Sequence, residues 1–134
     1  MTSSALQIAL AYHRAWTGTD IDLAMGHIAD DVVLDAPAGR LVGIQAYRDF
    51  LAPFAERFLV RAEMIAAFGD DDRALMMYDA ETIPAKSAPA AECVTVRDGK
   101  IVYNRFVFDR TPFDEFRRRQ AQAGVPGVRG DTTR

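Results

Sequence analysis

Residues 90–109 read AAECVTVRDGKIVYNRFVFD, and this stretch decides the fold. Two runs rich in apolar and β-branched residues flank the dipeptide Asp98-Gly99. An Asp-Gly pair between two such runs predicts a β-hairpin, because a type I′ turn needs positive φ at both central residues. The sequence therefore predicts a tight pair of antiparallel strands near the end of the chain.

Outward from this hairpin, the remaining patterns place most helices before most strands. Strands are expected at about 32–36, 59–68, 74–83, 90–97 and 100–109. Helices are expected at about 5–16, 20–28, 44–58 and 111–123, and Pro53 should kink or end the third of them. The expected fold class is α+β, with helices first and then a curved antiparallel sheet.

Length and composition fit one globular domain. The chain has 134 residues, of which 49% are hydrophobic and 26% are charged. This balance excludes a disordered chain. The periodic apolar pattern stops after Ala123, so residues 1–123 are predicted to fold as the domain and residues 124–134 to form a flexible tail.

Charge and cysteine content exclude several classes of function. The net charge of −3 and the pI near 5.3 argue against nonspecific nucleic-acid binding. No apolar run reaches the length of a membrane-spanning helix, so no membrane partner is expected. No signal peptide is recognisable and Cys93 is the single cysteine, so a cytoplasmic location is expected. The basic run Arg117 to Arg119 leaves open a contact with RNA or an acidic partner, although a solvated helix face is the simpler interpretation.

Four segments carry a family resemblance. They read YHRAWTGTD at 12–20, HIADDVVLDAP at 27–37, GIQAYR at 43–48 and VTVRDGKI at 94–101. Over about residues 5–120 the sequence resembles the nuclear transport factor 2-like superfamily, in its branch of SnoaL-like polyketide cyclases and ketosteroid isomerases. The resemblance implies a cone-shaped, curved antiparallel sheet wrapped around the long N-terminal helix, with two further helices before the main strands and one C-terminal helix.

The resemblance also implies an apolar pocket, and alternation along the strands assigns residues to it. The strand residues expected to face inward are Leu34, Ala36, Leu75, Met77, Asp79, Glu81, Glu92, Val94, Asn104, Phe106 and Phe108. The expected ligand-binding set is Trp16, Leu34, Ala36, Phe54, Phe58, Met77, Val94, Asn104 and Phe106. The opposite face of one strand, with Met76, Tyr78 and Ala80, is then apolar and outward, which predicts a homodimer that buries it.

The catalytic positions of known relatives are only partly present. By resemblance to ketosteroid isomerases, Tyr12 falls on the oxyanion tyrosine and Glu92 on the protonated acid, whereas the base position is Ala36. By resemblance to SnoaL-like cyclases and limonene epoxide hydrolases, the acid on the last strand is replaced by Phe106. The residues that remain as candidate catalytic groups are Tyr12, Asp79, Glu81 and Glu92.

Two interpretations of these acidic residues stay open. Asp79 and Glu81 either line a ligand site or pair with Arg61, Arg97 or Arg105 across the sheet. The first favours an acid/base isomerase, cyclase or dehydratase that acts on a small hydrophobic molecule without a cofactor. The second favours a non-catalytic domain that binds such a molecule or stabilises a partner. His13 and His27 have no partner at metal-ligand spacing, so no metal site is predicted.

Overall fold

The computed structural model describes residues 4–124, and its elements follow the predicted order. The helices are α1 (Ser4–Thr17), α2 (Ile21–Met25), α3 (Ile44–Pro53) and α4 (Thr111–Gln122). The strands are β1 (Ile28–Ala36), β2 (Gly39–Val42), β3 (Leu59–Gly69), β4 (Arg73–Thr82), β5 (Ala88–Arg97) and β6 (Lys100–Phe108). The α+β prediction is confirmed. The predicted tail at 124–134 lies outside the described residues, apart from Gly124.

The hairpin predicted at Asp98-Gly99 is present in the structure. Asp98 has φ 53° and Gly99 has φ 77°, as a type I′ turn requires. β5 and β6 pair antiparallel on either side of this turn. The turn sets Arg97 opposite Lys100, and an irregularity between Thr95 and Val96 shifts the register for the rest of the two strands.

The six strands form one curved, unclosed sheet in the order β2-β1-β6-β5-β4-β3. Neighbouring strands are antiparallel except β1 and β6, which run parallel. The expected curved antiparallel sheet therefore contains one parallel pair, and the short strand β2 was not predicted. α1 packs across the inner face of the sheet, where Ala9, Tyr12 and Trp16 are fully buried. Among the described helices, none is long and apolar enough to span a membrane.

Pro53 ends α3, as predicted, and the chain continues as a π-helical turn over Phe54–Phe58. A π-turn widens the helix and re-aims its side chains. Here it directs Phe54 and Phe58 towards α4, where both rings contact Phe113 at centroid distances of 5.6 and 6.0 Å. This turn therefore shapes the open end of the sheet's inner face.

The predicted facing of β4 is wrong. Met76 and Tyr78 are buried, whereas Leu75 and Met77 are 50% and 49% exposed. Met76 lies directly opposite Glu92 in the sheet, and directly opposed residues share a face. The alternative register would bury the carboxylates of β4, which costs several kcal/mol for an unpaired charge. Desolvation of those carboxylates therefore decides which face of β4 turns inward.

Candidate functional site

A chain of buried hydrogen bonds crosses the inner face of the sheet. Tyr78 donates from its hydroxyl to Glu92 Oε2 at 2.6 Å, and Asn104 donates from Nδ2 to Glu92 Oε1 at 2.7 Å. Asn104 Nδ2 also donates to Tyr47 Oη at 2.8 Å, and the hydroxyl oxygens of Tyr47 and Tyr12 are 2.6 Å apart. We call these five residues the polar network. It links α1, α3, β4, β5 and β6 at one place.

The sheet register explains why these groups meet. Glu92 on β5 lies opposite Met76 on β4 and Phe106 on β6. Asn104 is two residues before Phe106, so it lies on the same face one step along the strand and reaches Glu92 diagonally. Helices α1 and α3 then bring their tyrosines from the other side. Strand alternation, taken with the family resemblance, predicts that Glu92 and Asn104 face inward, and both are fully buried.

The carboxyl of Glu92 is the centre of this network. Glu92 is 0% exposed, and burial raises its pKa, while the hydrogen bonds from Tyr78 and Asn104 lower it in part. Within residues 4–124, none of the observed ion pairs involves Glu92. Burial also raises the pKa of Tyr12, Tyr47 and Tyr78, so the phenols stay neutral donors. Burial of Glu92 thus favours the uncharged acid, whereas its two hydrogen bonds favour the carboxylate.

Beside this network lies an apolar pocket, which we call the aromatic pocket. It is lined by Phe50, Phe54, Tyr78, Ala80, Ala88, Ala90, Phe106, Phe108 and Phe113. Its empty space, open mouth included, is about 320 Å³, but its interior volume is about 20 Å³, room for about one water molecule. Tyr78 belongs to both structures, so the pocket and the polar network share one phenol.

Helix α4 contributes Phe113 to the wall of the aromatic pocket. Phe113 is buried and packs on Phe54, Phe58 and Phe108 at centroid distances of 5.6 to 6.0 Å. Phe116 adds a contact on Phe58 at 5.7 Å. Such contacts are non-directional and can re-form after a shift. The pocket can therefore enlarge by moving rings, without loss of backbone hydrogen bonds.

Two polar atoms of α1 are buried without a hydrogen-bond partner among the described residues, His13 Nδ1 and Trp16 Nε1. The His13 ring lies 5.6 Å from the Trp16 ring and 4.6 Å from the Tyr78 ring. Burial lowers the pKa of His13 to about 4, with a smaller effect of the neighbouring Arg14 charge. A buried donor or acceptor without a partner costs roughly 1–3 kcal/mol. The two unpartnered atoms therefore lower the stability of the fold.

The structure brings together several of the residues predicted from sequence. Tyr12, Glu92 and Asn104 belong to the polar network, although Tyr12 reaches Glu92 only through Tyr47 and Asn104. Of the other predicted ligand-binding residues, Phe54 and Phe106 line the aromatic pocket. Trp16 and Phe58 pack against the Phe54 ring in its wall. Leu34 and Val94 are buried in the core, and Ala36 is half-buried against the core.

Three predicted site residues lie elsewhere. Met77 and Asp79 are on the outer face of β4 and exposed, and Glu81 on the same face pairs with Arg61, whose Nε is 3.1 Å from Glu81 Oε1. The catalytic interpretation is therefore wrong about the positions of Asp79 and Glu81, which do not face the site. Glu81 instead forms the ion pair with Arg61 that the alternative interpretation expected. The expected outer patch of Met76, Tyr78 and Ala80 is equally wrong, since all three are buried.

Sequence reasoning missed Tyr47, Tyr78, His13 and Phe113. Tyr78 carried a usable signal, because the alternate set from Ala74 to Thr82 has no charged residue, unlike the set that was assigned inward. Tyr47 lies four residues before Leu51 on the apolar stripe of α3, which marks burial but not hydrogen bonding. Among residues 4–124 no cluster of His, Cys, Asp and Glu is arranged to hold a metal ion.

Comparison with known proteins places this geometry in a family. The SnoaL-like domain model matches residues 9–104. A protein of known structure from Kribbella flavida DSM 17836 is 51% identical, with 90% of this chain and 99% of that chain covered and a TM-score of 0.84. No curated protein matches the sequence.

More distant structures share the fold alone. An NTF2-like protein from Cytophaga hutchinsonii ATCC 33406 is 16% identical, covers 85% of this chain and 97% of its own, and has a TM-score of 0.72. An LEH-like epoxide hydrolase from M. tuberculosis is 20% identical, covers 90% and 93%, and has a TM-score of 0.69. With the family model matching most of the chain, this protein belongs to the SnoaL-like domain family.

Proposed function

We propose that this chain binds a small, ring-containing apolar molecule in the aromatic pocket and holds an oxygen atom of that molecule beside Tyr78. The observation that carries the proposal is the position of Tyr78, which lines the pocket and is hydrogen-bonded to the fully buried Glu92. An apolar lining with few convergent polar groups is typical of small-molecule sites. Edge and tilted ring contacts in the walls favour a flat ligand.

The chemistry of the shared phenol supports this orientation. Tyr78 donates to Glu92 when that carboxyl is ionised. Once Glu92 holds a proton, the same 2.6 Å contact can run in the opposite direction, from the acid to the phenol oxygen. Tyr78 then has its own O–H free to donate to a carbonyl or hydroxyl oxygen in the pocket. Burial raises the pKa of Glu92 and so favours the protonated form.

Acid/base catalysis is the second candidate, and the Glu92–Tyr78 contact favours it. A proton passed from Glu92 through Tyr78 to a substrate oxygen is a step of an isomerase, cyclase or dehydratase that uses no metal or organic cofactor. The base must then come from another side chain, because the related positions hold Ala36 and Phe106 and because Asp79 and Glu81 face outward. Plain ligand binding requires fewer groups and is the primary proposal.

Binding of 1-tetralone, a fused-ring ketone, tests the primary proposal by calorimetry. Ala90 lines the pocket, whereas Ala91 is the next residue on the same strand and faces the other side. Ala90→Leu fills the pocket and should abolish binding, and the matched control Ala91→Leu should leave it unchanged. Tyr78→Phe should weaken binding about tenfold through the lost hydrogen bond. Equal binding by the wild type and Ala90→Leu would contradict the proposal.

We also propose that the partner is a second copy of this chain, seated on the outer face of the sheet. Met77, Ala91 and Val107 form one cross-strand row there, and Phe68 and Leu75 are paired in the next. Phe68, Leu75, Met77 and Val107 are all exposed. Contiguous exposed apolar side chains mark interaction surfaces. Light scattering should give twice the 14.8 kDa chain mass at micromolar concentration, Met77→Lys should reduce it to one chain mass, and a wild-type monomer would contradict the proposal.

A further inference from the structure

The unpartnered atoms of His13 and Trp16 lie on one face of α1. The two residues are three positions apart, a spacing that places side chains side by side on a helix. Their rings meet edge to face at an interplanar angle of 82°. One offers an indole N–H, which only donates, and the other a ring nitrogen that accepts in one neutral tautomer. The pair therefore presents a donor and an acceptor next to each other.

This pair borders the walls of the aromatic pocket. The Trp16 ring lies 6.0 Å from Phe54 and 6.0 Å from Tyr78, and the His13 ring lies 4.6 Å from Tyr78. Phe54 and Tyr78 both line the pocket. Phe54 begins the π-helical turn, and its ring contacts the rings of Trp16, Phe58 and Phe113. Phe54 and Tyr78 therefore belong both to the pocket wall and to the surroundings of His13 and Trp16.

We propose that His13 and Trp16 form a second polar subsite of the pocket, which binds a hydroxyl group of the ligand. Trp16 Nε1 donates to the hydroxyl oxygen, and His13 Nδ1 accepts the hydroxyl proton. This inference rests on the proposed ligand binding and narrows its ligand to a ring compound with a carbonyl or similar oxygen at the Tyr78 end and a hydroxyl at the other.

The electrostatics of the position agree with a hydroxyl. The pKa of His13 near 4 keeps the imidazole neutral at neutral pH, so an acceptor nitrogen is available. A carboxylate would match the indole N–H but not the imidazole acceptor. An ammonium group would match the acceptor but not the indole donor. Of these three groups, only a hydroxyl both donates and accepts, so it satisfies both atoms.

The test compares 6-hydroxy-1-tetralone with 1-tetralone, since the two differ only by the hydroxyl. Calorimetry should give an affinity about tenfold higher for the hydroxylated compound with the wild type. His13→Phe and Trp16→Phe each keep an aromatic ring at their position, and each should remove most of that difference while 1-tetralone still binds. His27→Phe replaces the chain's other histidine and should keep the full difference.

A spectroscopic readout keeps the result independent of folding defects in the variants. Trp16 is the single tryptophan, so the wild-type protein gives one indole N–H signal in a ¹H–¹⁵N spectrum. That signal should move downfield with 6-hydroxy-1-tetralone beyond any shift that 1-tetralone causes. Equal affinities with an identical indole shift would overturn this subsite and leave the proposed function intact. Failure of both compounds to bind would overturn the proposed function itself.

Discussion

The polar network and the aromatic pocket are neighbours on one inner face, yet they are held in opposite ways. In the network, each oxygen of the buried Glu92 carboxyl accepts one hydrogen bond of 2.6 or 2.7 Å. In the pocket, the walls are phenyl rings and alanines in contact through apolar surface. Directional bonds fix positions, whereas apolar contacts tolerate sliding. The network is therefore the rigid end of the site and the pocket its adaptable end.

This difference indicates where specificity and size selection reside. An oxygen of the ligand meets a pre-positioned phenol, so its placement costs little ordering. The rest of the ligand would have to displace rings, because the interior volume of the pocket is only about 20 Å³. Mutations and changes of pH should therefore affect the two ends differently.

Glu92→Ala should be the most damaging change. It leaves the Tyr78 hydroxyl and one N–H of the Asn104 amide without an acceptor and opens a cavity, for a loss of about 4 kcal/mol in the free energy of unfolding. Glu92→Gln keeps an acceptor oxygen and should lose clearly less. Urea denaturation measures both, with the exposed Glu63→Ala as the matched control. Equal free energies of unfolding for Glu92→Ala and the wild type would contradict the description of the network as rigid.

Acid should weaken the fold through His13. Its pKa is about 4 when folded and near 6.5 when unfolded, so between these values the unfolded chain binds the extra proton. Stability is therefore lost as the pH falls from 6.5 to 4, by up to about 3 kcal/mol. Glu92 acts in the opposite sense, since its raised pKa favours the fold at lower pH.

Comparison of variants isolates the His13 contribution from that of Glu92 and of the nearby Arg14. His13→Phe should flatten the pH dependence of unfolding between pH 6.5 and 4, whereas His27→Phe should retain it. Denaturant titrations at several pH values provide the measurement. A slope that is identical in the wild type and His13→Phe would show that the imidazole is charged or solvated in the folded protein.

Phe113→Ala tests the adaptable end. Removal of this buried ring takes away the contacts of α4 with Phe54, Phe58 and Phe108, so the free energy of unfolding should fall by about 3 kcal/mol. 1-Tetralone should dissociate several times faster, as measured by stopped-flow mixing. Phe116 contacts Phe58 but does not line the pocket, so Phe116→Ala should leave the dissociation rate near that of the wild type. Equal rates of 1-tetralone dissociation for the two variants would contradict a role of the Phe113 ring in retaining the ligand.

The smallest effect should come from the carboxylates on the outer face of β4. Glu81→Gln breaks the surface pair with Arg61, and exposed pairs contribute between zero and about 1 kcal/mol. Asp79→Asn and Glu81→Gln should both bind 1-tetralone with wild-type affinity. A loss of 1-tetralone binding in either variant would show that the substituted carboxylate takes part in binding.

The sequence allowed the fold to be predicted wherever a local signal was decisive. The Asp98-Gly99 turn, the break at Pro53 and the inward facing of Glu92 each follow from one or two residues. The parallel pairing of β1 with β6 depends on strands that are distant in sequence, and no local pattern encodes it. The short edge strand β2 has too few residues for a periodic signal.

The candidate site was predictable only in part. The facing of β4 depends on its register with β5, and the connection between them, about 83–87, has no turn motif that fixes an offset. If the register of β4 is shifted by one residue, Met77 and Asp79 face the site in place of Tyr78. The chemistry that the site can carry out changes accordingly. The cost of burying two carboxylates was the physical argument that favoured the observed register.

Alanine-methyl NMR during titration with 1-tetralone tests the central claim most directly, because alanines line the pocket and also lie far from it. The methyl signals of Ala80, Ala88 and Ala90 should shift together and saturate. Those of Ala5 and Ala24 in the distant core and of Ala91 on the outer face should stay in place. Saturable shifts at Ala91 with unmoved pocket alanines would contradict the claim that the ligand binds between the aromatic rings and Tyr78.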